Sequence, residues 1–374
     1  MKSRRLFIRV QDQFNHRGNE MAYLVLSNGQ VFEGRRIGAP VDRIGELVFS
    51  TGMAGYLETL TDPSYYGQIV TQSFPLIGNY GVIPEDFEGT PRLFGYIVRD
   101  LCDTPSNFRS AGKLNDFLLD HGIPGLCGVD TREIVRTVRE EGVMNAMISD
   151  IPPADLSALR AFRVENAVAS VTCREKLVFP AIGSKRFRVA LMDYGVKRGI
   201  VRSLQTRGCE VTVWPAGTKA ERVLADDPDG IVLSNGPGDP KENEGCIAEI
   251  RRLLGERPMM GICLGHQLIA LALGGDTVKL KYGHRGGNQP VKDLTTARSW
   301  ITSQNHGYAV VADSLRGIGR EAFVNLNDGS CEGMDYPDLQ CFSVQFHPEA
   351  CAGPRDTGFL FDRFIRMMGG NTHA

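Results

Sequence analysis

The second half of the chain alternates short apolar runs with segments of helical periodicity. Four apolar runs predict buried strands, at residues 187–192, 209–214, 230–233 and 259–262. Four segments predict helices, at residues 196–206, 219–225, 245–254 and 265–273. Strands that alternate with helices indicate an α/β fold with a doubly wound, mostly parallel sheet. Ligands bind such sheets beyond the carboxyl ends of the strands, so the turns at 234–240 and at Cys263 are candidate site loops.

The first half is dominated by strands and turns. Residues 23–26 and 30–32 flank Ser27-Asn28-Gly29 and predict a hairpin. Further strands are predicted at 46–51, 68–73, 93–98. Helices are predicted at 114–120 and at 132–139, the second with Asp130 as its N-cap. This half therefore predicts a strand-rich α+β domain.

The pattern breaks at Ile151-Pro152-Pro153, and 374 residues exceed the usual size of one domain. We divide the chain into four parts, namely an extension at 1–20, an N-terminal domain at 21–150, a connecting region at 151–186 and a C-terminal domain at 187–374. Residues 1–20 are basic at the start but have too short an apolar run for a signal peptide.

Composition excludes several classes of protein. The net charge of −2 offers no basic surface for nucleic acid, and no apolar run is long enough to span a membrane. The nine cysteines form no Cys-x-x-Cys pair, which favours reduced thiols in a cytoplasmic protein and predicts no metal site. Phosphate-binding motifs are missing, since Lys241 stands where a dinucleotide fingerprint beginning at Gly236 needs glycine.

The strongest chemical signal is Gly261-Ile262-Cys263-Leu264-Gly265, where a predicted strand meets a predicted helix. A nucleophile between two glycines at such a junction is typical of the elbow of hydrolases. The helix N-terminus favours a thiolate, and the backbone N–H of Leu264 becomes a candidate oxyanion donor. Alone, this pattern fits a buried cysteine in a glycine-rich turn better than a nucleophile.

A second signal, His347-Pro348-Glu349, supports the catalytic interpretation. A thiolate nucleophile needs a base, and the base needs a group that orients it. His347 and Glu349 are two residues apart at the end of a strand predicted at 340–346, so both side chains fall on one face. Together with Cys263 they form a candidate triad.

These motifs, with Ser234-Asn235-Gly236-Pro237-Gly238, resemble class I glutamine amidotransferases in content and order. The first half resembles the N-terminal domain of carbamoyl-phosphate synthase small subunits. The matching segments are 52–56, 60–65, 78–81 and 128–132, with further family segments at 282–288 and 303–308. The resemblance extends from about Ala22 to Met368.

The resemblance implies a role for individual residues. Cys263 corresponds to the nucleophile, His347 to the general base and Glu349 to its orienting carboxylate, while Gly238 and Leu264 correspond to oxyanion donors. The positions that hold glutamine in the family are Gly52, Gly236, Gln267, Asn305, Gly307 and Tyr308. Gly52 replaces a serine that some members use, and Tyr308 replaces a common phenylalanine.

The resemblance also implies an activity and a partner. The chain would hydrolyse L-glutamine and pass ammonia to a large subunit that makes carbamoyl phosphate, for arginine and pyrimidine biosynthesis. It implies a heterodimer or higher assembly, no cofactor in this chain, and ATP with magnesium on the large subunit. Two alternatives remain, namely the glutaminase component of another amidotransferase and a catalytically silent regulatory subunit.

Overall fold

The structure, a computed structural model, describes residues 21–350 and 352–370. The extension expected at 1–20 lies outside them. Two compact units are present. The N-terminal unit runs to Leu60 and includes Gly67–Phe87 and Leu93–Val164, whereas the C-terminal unit contains Thr61–Tyr66, Glu88–Arg92 and everything from Glu165 onward. Two short segments of the first half thus fold with the second half, which the sequence did not predict.

The N-terminal unit is a closed barrel of seven strands in the order β1-β2-β6-β5-β4-β3-β7. Its strands are β1 (Met21–Leu26), β2 (Val31–Gly38), β3 (Arg43–Ser50), β4 (Gln68–Ile77), β5 (Gly95–Leu101), β6 (Pro124–Cys127) and β7 (Met144–Ser149). Its helices are α1 (Tyr56–Thr61), which ends at the boundary of the unit, α2 (Leu114–Asp120), α3 (Thr131–Glu141) and α4 (Ser157–Ala161).

Two local predictions in this unit are confirmed. β1 and β2 pair antiparallel around Gly29, whose φ of +96° suits glycine. Asp130 caps α3 by accepting a hydrogen bond from the backbone N–H of Glu133 at 3.1 Å. The helix buries Ile134 and Val138, which are four residues apart and therefore share one face.

The C-terminal unit is built on a ten-stranded sheet in the order β14-β13-β15-β16-β17-β12-β11-β9-β10-β8. Its strands are β8 (Leu177–Phe179), β9 (Phe187–Asp193), β10 (Cys209–Pro215), β11 (Gly230–Leu233), β12 (Met259–Ile262), β13 (Asp276–Asp293), β14 (Ser299–Val311), β15 (Arg320–Asn325), β16 (Cys331–Tyr336) and β17 (Cys341–Val344). Its helices are α5 (Ala167–Val171), α6 (Arg198–Gln205), α7 (Ala220–Leu224), α8 (Glu244–Leu253), α9 (Leu264–Ala272) and α10 (Phe359–Met368).

Both faces of this sheet are covered. Along β9, Ala190 and Met192 join one apolar cluster, with residues of α8 and α9, while Val189 and Leu191 join another, with residues of α6 and α10. Alternate residues of a strand point to opposite faces, so this division is that of a doubly wound sheet. Among the described residues, no helix is both long and apolar enough to cross a membrane.

The predicted parallel order holds for the central strands β10, β9, β11, β12 and β17. The sequence did not predict the antiparallel strands β13–β16 that extend the sheet beyond β17. Two boundaries also differ from prediction. Gln340 adopts a left-handed conformation, so the last strand begins one residue later and ends at Val344. Lys197 is the N-cap of α6 rather than part of the helix.

Candidate active site

Cys263 lies at the tight junction between β12 and α9. Its φ and ψ of +54° and −103° are rare for a residue with a side chain, as expected for a nucleophile elbow. The flanking glycines make the turn possible. A Cβ on Gly265 would lie 2.3 Å from the backbone oxygen of Leu233, and one on Gly261 would lie 2.9 Å from the backbone of Gly265.

The Cys263 thiol is nearly enclosed, with 2% of the residue exposed. Its Sγ lies 3.7 Å from the backbone oxygen of Asn305 on β14 and is oriented to donate to it. Leu264 opens α9, where the first backbone N–H groups have no acceptor within the helix and can face an anion. The candidate nucleophile and one candidate oxyanion donor are therefore adjacent in the chain.

The loop after β11 packs against the same helix start. Gly236 has no room for a side chain, since a Cβ there would lie 2.2 Å from the oxygen of Tyr194 and 2.8 Å from the side chain of Leu264. The backbone oxygen of Ser234 accepts a hydrogen bond from the N–H of Gly265 at 3.0 Å. Gly238 adopts a φ of +88°. The glycine loop and the elbow thus form one surface, as the rule for doubly wound sheets predicts.

His347 follows β17 and is held by its backbone and its ring. Its N–H donates to the oxygen of Ser303 at 2.9 Å, and its Nδ1 lies 2.6 Å from Oε1 of Glu349. Burial lowers the pKa of His347, but the Glu349 carboxylate and the nearby Cys263 thiol raise it, and the net shift is upward. Nε2 forms no hydrogen bond with any described residue. This ring nitrogen is the one left for proton exchange with the thiol.

The Glu349 carboxylate also receives a cation that the sequence did not single out. Lys197 Nζ lies 3.0 Å from Oε1 of Glu349, and both side chains are almost fully buried. Burial raises the pKa of Glu349, but the opposing effect of Lys197 and His347 is larger, and the net shift is downward. Lys197 comes four residues after the end of β9, at the sheet edge where ligands bind, and this position was the signal available in the sequence.

The two segments from the first half of the chain complete this charge cluster. Glu349, Asp62 and Glu88 raise the pKa of Lys197 above its usual value, although burial lowers it. Glu88 accepts a hydrogen bond from the N–H of Gly199 at 3.0 Å. Asp62 accepts one from Asn305 Nδ2 at 3.0 Å. Residues 60–65 had matched the family, but sequence reasoning had no signal that Asp62 or Glu88 would lie near Lys197, since both are more than 100 residues away along the chain.

Most candidate glutamine-holding residues gather around Cys263. Gln267 lies one turn along α9 and donates from Nε2 to the backbone oxygen of Tyr308 at 2.8 Å. Asn305 and Gly307 precede Tyr308 on β14. Gly52, by contrast, belongs to the N-terminal unit, after β3, where its oxygen accepts a hydrogen bond from Gln72 at 2.6 Å.

One buried group in the C-terminal unit has metal-binding residue types. The ligand atoms of His284, His306 and Glu332 lie within 4.8 Å of one another. His284, however, has a carboxylate at each ring nitrogen, with Asp328 at 2.9 Å and Glu332 at 3.4 Å. Burial lowers the pKa of His284, but these carboxylates raise it, and the net shift is upward. The arrangement is that of a buried ion pair.

Both halves of the chain match known families. Residues 190–367 match the model for glutamine amidotransferase class-I, and residues 24–148 match the model for the carbamoyl-phosphate synthase small chain, CPSase domain. Three relatives are each called carbamoyl phosphate synthase small chain. The one from Syntrophotalea carbinolica is 47% identical and covers 94% of this chain and 99% of its own. Those from Clostridium perfringens and Listeria innocua are 49% and 48% identical, covering 92% and 94% of this chain and 99% of their own.

The predicted family resemblance is thereby confirmed over both halves. The relatives are nearly 50% identical to this chain along almost their whole length. The structure also places the predicted cysteine, histidine and glutamate, all buried, at the predicted sheet. The chain belongs to the carbamoyl phosphate synthase small-chain family and is a glutamine amidotransferase.

Proposed function

We propose that this chain hydrolyses L-glutamine with Cys263, His347 and Glu349 and delivers the ammonia to a large synthase subunit. The observation that carries the proposal is the arrangement of the three side chains. Cys263 occupies the strained elbow, His347 leaves Nε2 unbonded among the described residues, and Glu349 holds the opposite ring nitrogen at 2.6 Å. These are the roles of a nucleophile, a base and the group that orients the base.

The chemistry follows from the geometry. His347 Nε2 accepts the thiol proton, and Sγ bonds to the side-chain carbonyl carbon of glutamine. The buried Glu349 carboxylate stabilises the imidazolium that results, which is consistent with the raised pKa of His347. That imidazolium then gives its proton to the departing nitrogen, and ammonia leaves. Water attacks the thioester, releases glutamate and restores the thiol.

The remaining site residues bind the glutamine substrate and stabilise the tetrahedral intermediate. The N–H groups of Leu264 and Gly238 face the oxyanion of the tetrahedral intermediate, a contribution that is typically worth several kcal/mol, about 3 for one donor. Gly236, Gln267, Asn305, Gly307 and Tyr308, all in the C-terminal unit, hold the glutamine. The chain itself needs no cofactor for this reaction. ATP and magnesium act on the large subunit, in a cytoplasmic assembly that supplies carbamoyl phosphate to arginine and pyrimidine biosynthesis.

The test is glutamine-dependent and ammonia-dependent synthesis by the chain assembled with a carbamoyl phosphate synthase large subunit. We expect Cys263→Ser to abolish glutamine hydrolysis and to leave ammonia-dependent synthesis intact. Cys246→Ser is the control, because Cys246 is a half-buried cysteine of the same unit that lies in α8 and bonds only the oxygen of Ala216 among the described residues. It should retain both activities.

The same assay separates the alternatives. Glutaminase activity in Cys263→Ser would refute the nucleophile assignment. A wild-type chain that never hydrolyses glutamine, with or without the large subunit, would indicate a silent regulatory subunit. Hydrolysis without glutamine-dependent carbamoyl phosphate formation would indicate another amidotransferase.

A further inference from the structure

Two buried side-chain amides form a chain next to the elbow. Gln267 Nε2 donates one hydrogen to the backbone oxygen of Tyr308 at 2.8 Å and the other to Oε1 of Gln345 at 2.9 Å. A backbone carbonyl can only accept, so the nitrogen of the Gln267 amide must face Tyr308. The second hydrogen of that nitrogen then requires the oxygen of Gln345. The orientation of both amides is therefore fixed by the hydrogen bonds alone.

This orientation decides what Gln267 can offer a ligand. Both N–H groups are used, and Oε1, the remaining polar atom, accepts no hydrogen bond from the described residues. Gln267 lies four residues after Cys263, on the same side of α9. It therefore presents an acceptor, which suits an N–H of glutamine and repels a carboxylate.

The side-chain amide of Gln345 forms no hydrogen bond with any described residue other than Gln267. It is fully buried, and its only side-chain hydrogen bond among the described residues is the one to Gln267. Its Nε2 has no partner there. An unpartnered buried donor is destabilising, and an apolar side chain of the same shape would avoid that loss. An amide at such a position, two residues before His347, points to a role in the site.

We propose that Gln345 is a positioning residue that, together with the backbone oxygen of Tyr308, fixes the Gln267 amide with its oxygen toward the substrate, so that Gln267 holds an N–H group of glutamine. The proposal rests on the proposed glutaminase activity. Gln345 touches Gln267 and not the reacting atoms, so its loss should weaken glutamine binding and leave the chemical step nearly unchanged.

The test compares variants of Gln345 in the assembled enzyme. Gln345→Met keeps the length but removes the acceptor, and Gln345→Asn keeps an amide that is too short to reach Gln267. Both should raise KM for glutamine by about threefold to tenfold, the value of one neutral hydrogen bond, with kcat within about twofold. Gln345→Glu keeps an oxygen that accepts from Gln267 in either protonation state, and it should restore KM to near the wild-type value.

A double-mutant cycle with Gln267→Met tests whether Gln345 acts through Gln267. The KM of the double variant should match that of Gln267→Met alone. A KM raised by the product of the two single-variant factors would overturn the proposal. An unchanged KM in both Gln345→Met and Gln345→Asn would overturn it, and so would a fall in kcat alone. If one of these two variants loses ammonia-dependent synthesis through misfolding, the other decides. A Gln345→Glu variant as impaired as Gln345→Asn would also contradict it.

The same kinetics identify which N–H of the substrate is held. If the inhibition constant of glutamate rises in the variants by the same factor as KM, the contact is at the α-ammonium, which substrate and product share. If the inhibition constant is unchanged while KM rises, the contact is at the side-chain amide. Both results support the role of Gln345. Wild-type activity and its loss in Cys263→Ser decide the proposed function separately, so either proposal can fail without the other.

Discussion

Single residues of the candidate site are held by a compact group of buried charges. Oε1 of Glu349 is within hydrogen-bond distance of both His347 and Lys197, at 2.6 and 3.0 Å. Asp62 and Glu88 add negative charge around Lys197. Charges removed from water are tolerated only while each has its partners, so the loss of one member leaves the others uncompensated.

We expect Lys197→Leu to lower the free energy of unfolding by about 3–5 kcal/mol, the usual cost of breaking a buried pair. Glutamine hydrolysis should fall as well, because Glu349 loses the cation that helps to hold it against His347. Chemical denaturation and steady-state glutaminase kinetics measure the two effects.

Lys219→Leu is the matched control for this prediction. Lys219 also pairs with a glutamate, Glu249 at 2.8 Å, but its side chain is 71% exposed. Lys219 keeps its charge in water and Glu249 retains the N–H of Ala220 and Arg252 as partners, so both stability and activity should change little. Equal losses in the two variants would contradict the special role of the buried cluster.

Among the elements, the junction of β12 and α9 is the most constrained. Its geometry depends on the absence of side chains at Gly261 and Gly265, which lie against backbone on both sides. The strain at Cys263 is sustained because the surrounding strand and helix leave no alternative path for the chain.

Gly265→Ala should therefore destabilise the protein by more than about 2 kcal/mol and reduce glutaminase activity, since a methyl group there meets the backbone of Leu233. Gly245→Ala in α8 is the control, because a Cβ at Gly245 meets nothing within 4 Å. Alanine is the better helix former, so this control should gain up to about 1 kcal/mol. Thermal unfolding compares the two, and a Gly265→Ala variant as stable as Gly245→Ala would refute the steric argument.

At the scale of the whole molecule, the triad pair links global stability to pH. The pKa of Glu349 is lowered from 4.5, so its contribution is present above pH 4.5 and is lost as the pH falls through the folded value. The pKa of His347 is raised from 6.5, so its contribution is present below pH 6.5 and is lost as the pH rises through the folded value.

The stability difference between the wild type and Glu349→Gln should therefore be largest between pH 4.5 and 6.5 and shrink on both sides. Denaturant titrations over a pH series measure it, and the other titrating groups cancel in the comparison. A difference that keeps growing above pH 6.5 would mean that His347 is not the partner that Glu349 stabilises.

The C-terminal unit depends on two segments from the first half of the chain. Thr61–Tyr66 and Glu88–Arg92 belong to this unit and supply Asp62, Ser64 and Glu88. Asp62, Ser64 and Glu88 form hydrogen bonds with Asn305, Asn235 and Gly199, respectively. A fragment that begins at residue 165 lacks all three residues and therefore loses these hydrogen bonds.

We expect such a fragment, residues 165–374, to unfold at a temperature at least several degrees below that of the full chain, because each lost hydrogen bond contributes about 0.5–1.5 kcal/mol. Calorimetry of both proteins measures this. A fragment as stable as the full chain would show that these hydrogen bonds contribute nothing.

The sequence alone determined the parallel core and the location of the candidate site. Apolar runs such as 230–233 and 259–262 are continuous because strands covered on both faces bury every residue, which makes them visible without a structure. The elbow was equally visible, since only glycines can flank so tight a turn. The motif order therefore sufficed to predict the family.

Only the tertiary structure decided which groups surround that chemistry. Lys197, Asp62, Glu88 and Gln345 are ordinary residues in the sequence, and they acquire a role because folding brings them within hydrogen-bond distance of the site or of one another. The antiparallel strands β13–β16 were missed for a related reason. In β13 and β14, buried and exposed positions mix without strict alternation and the two strands pair with register shifts, so local periodicity does not reveal these strands. Local pattern fixes what a segment can become, whereas pairing between distant segments depends on contacts that no single stretch of sequence contains.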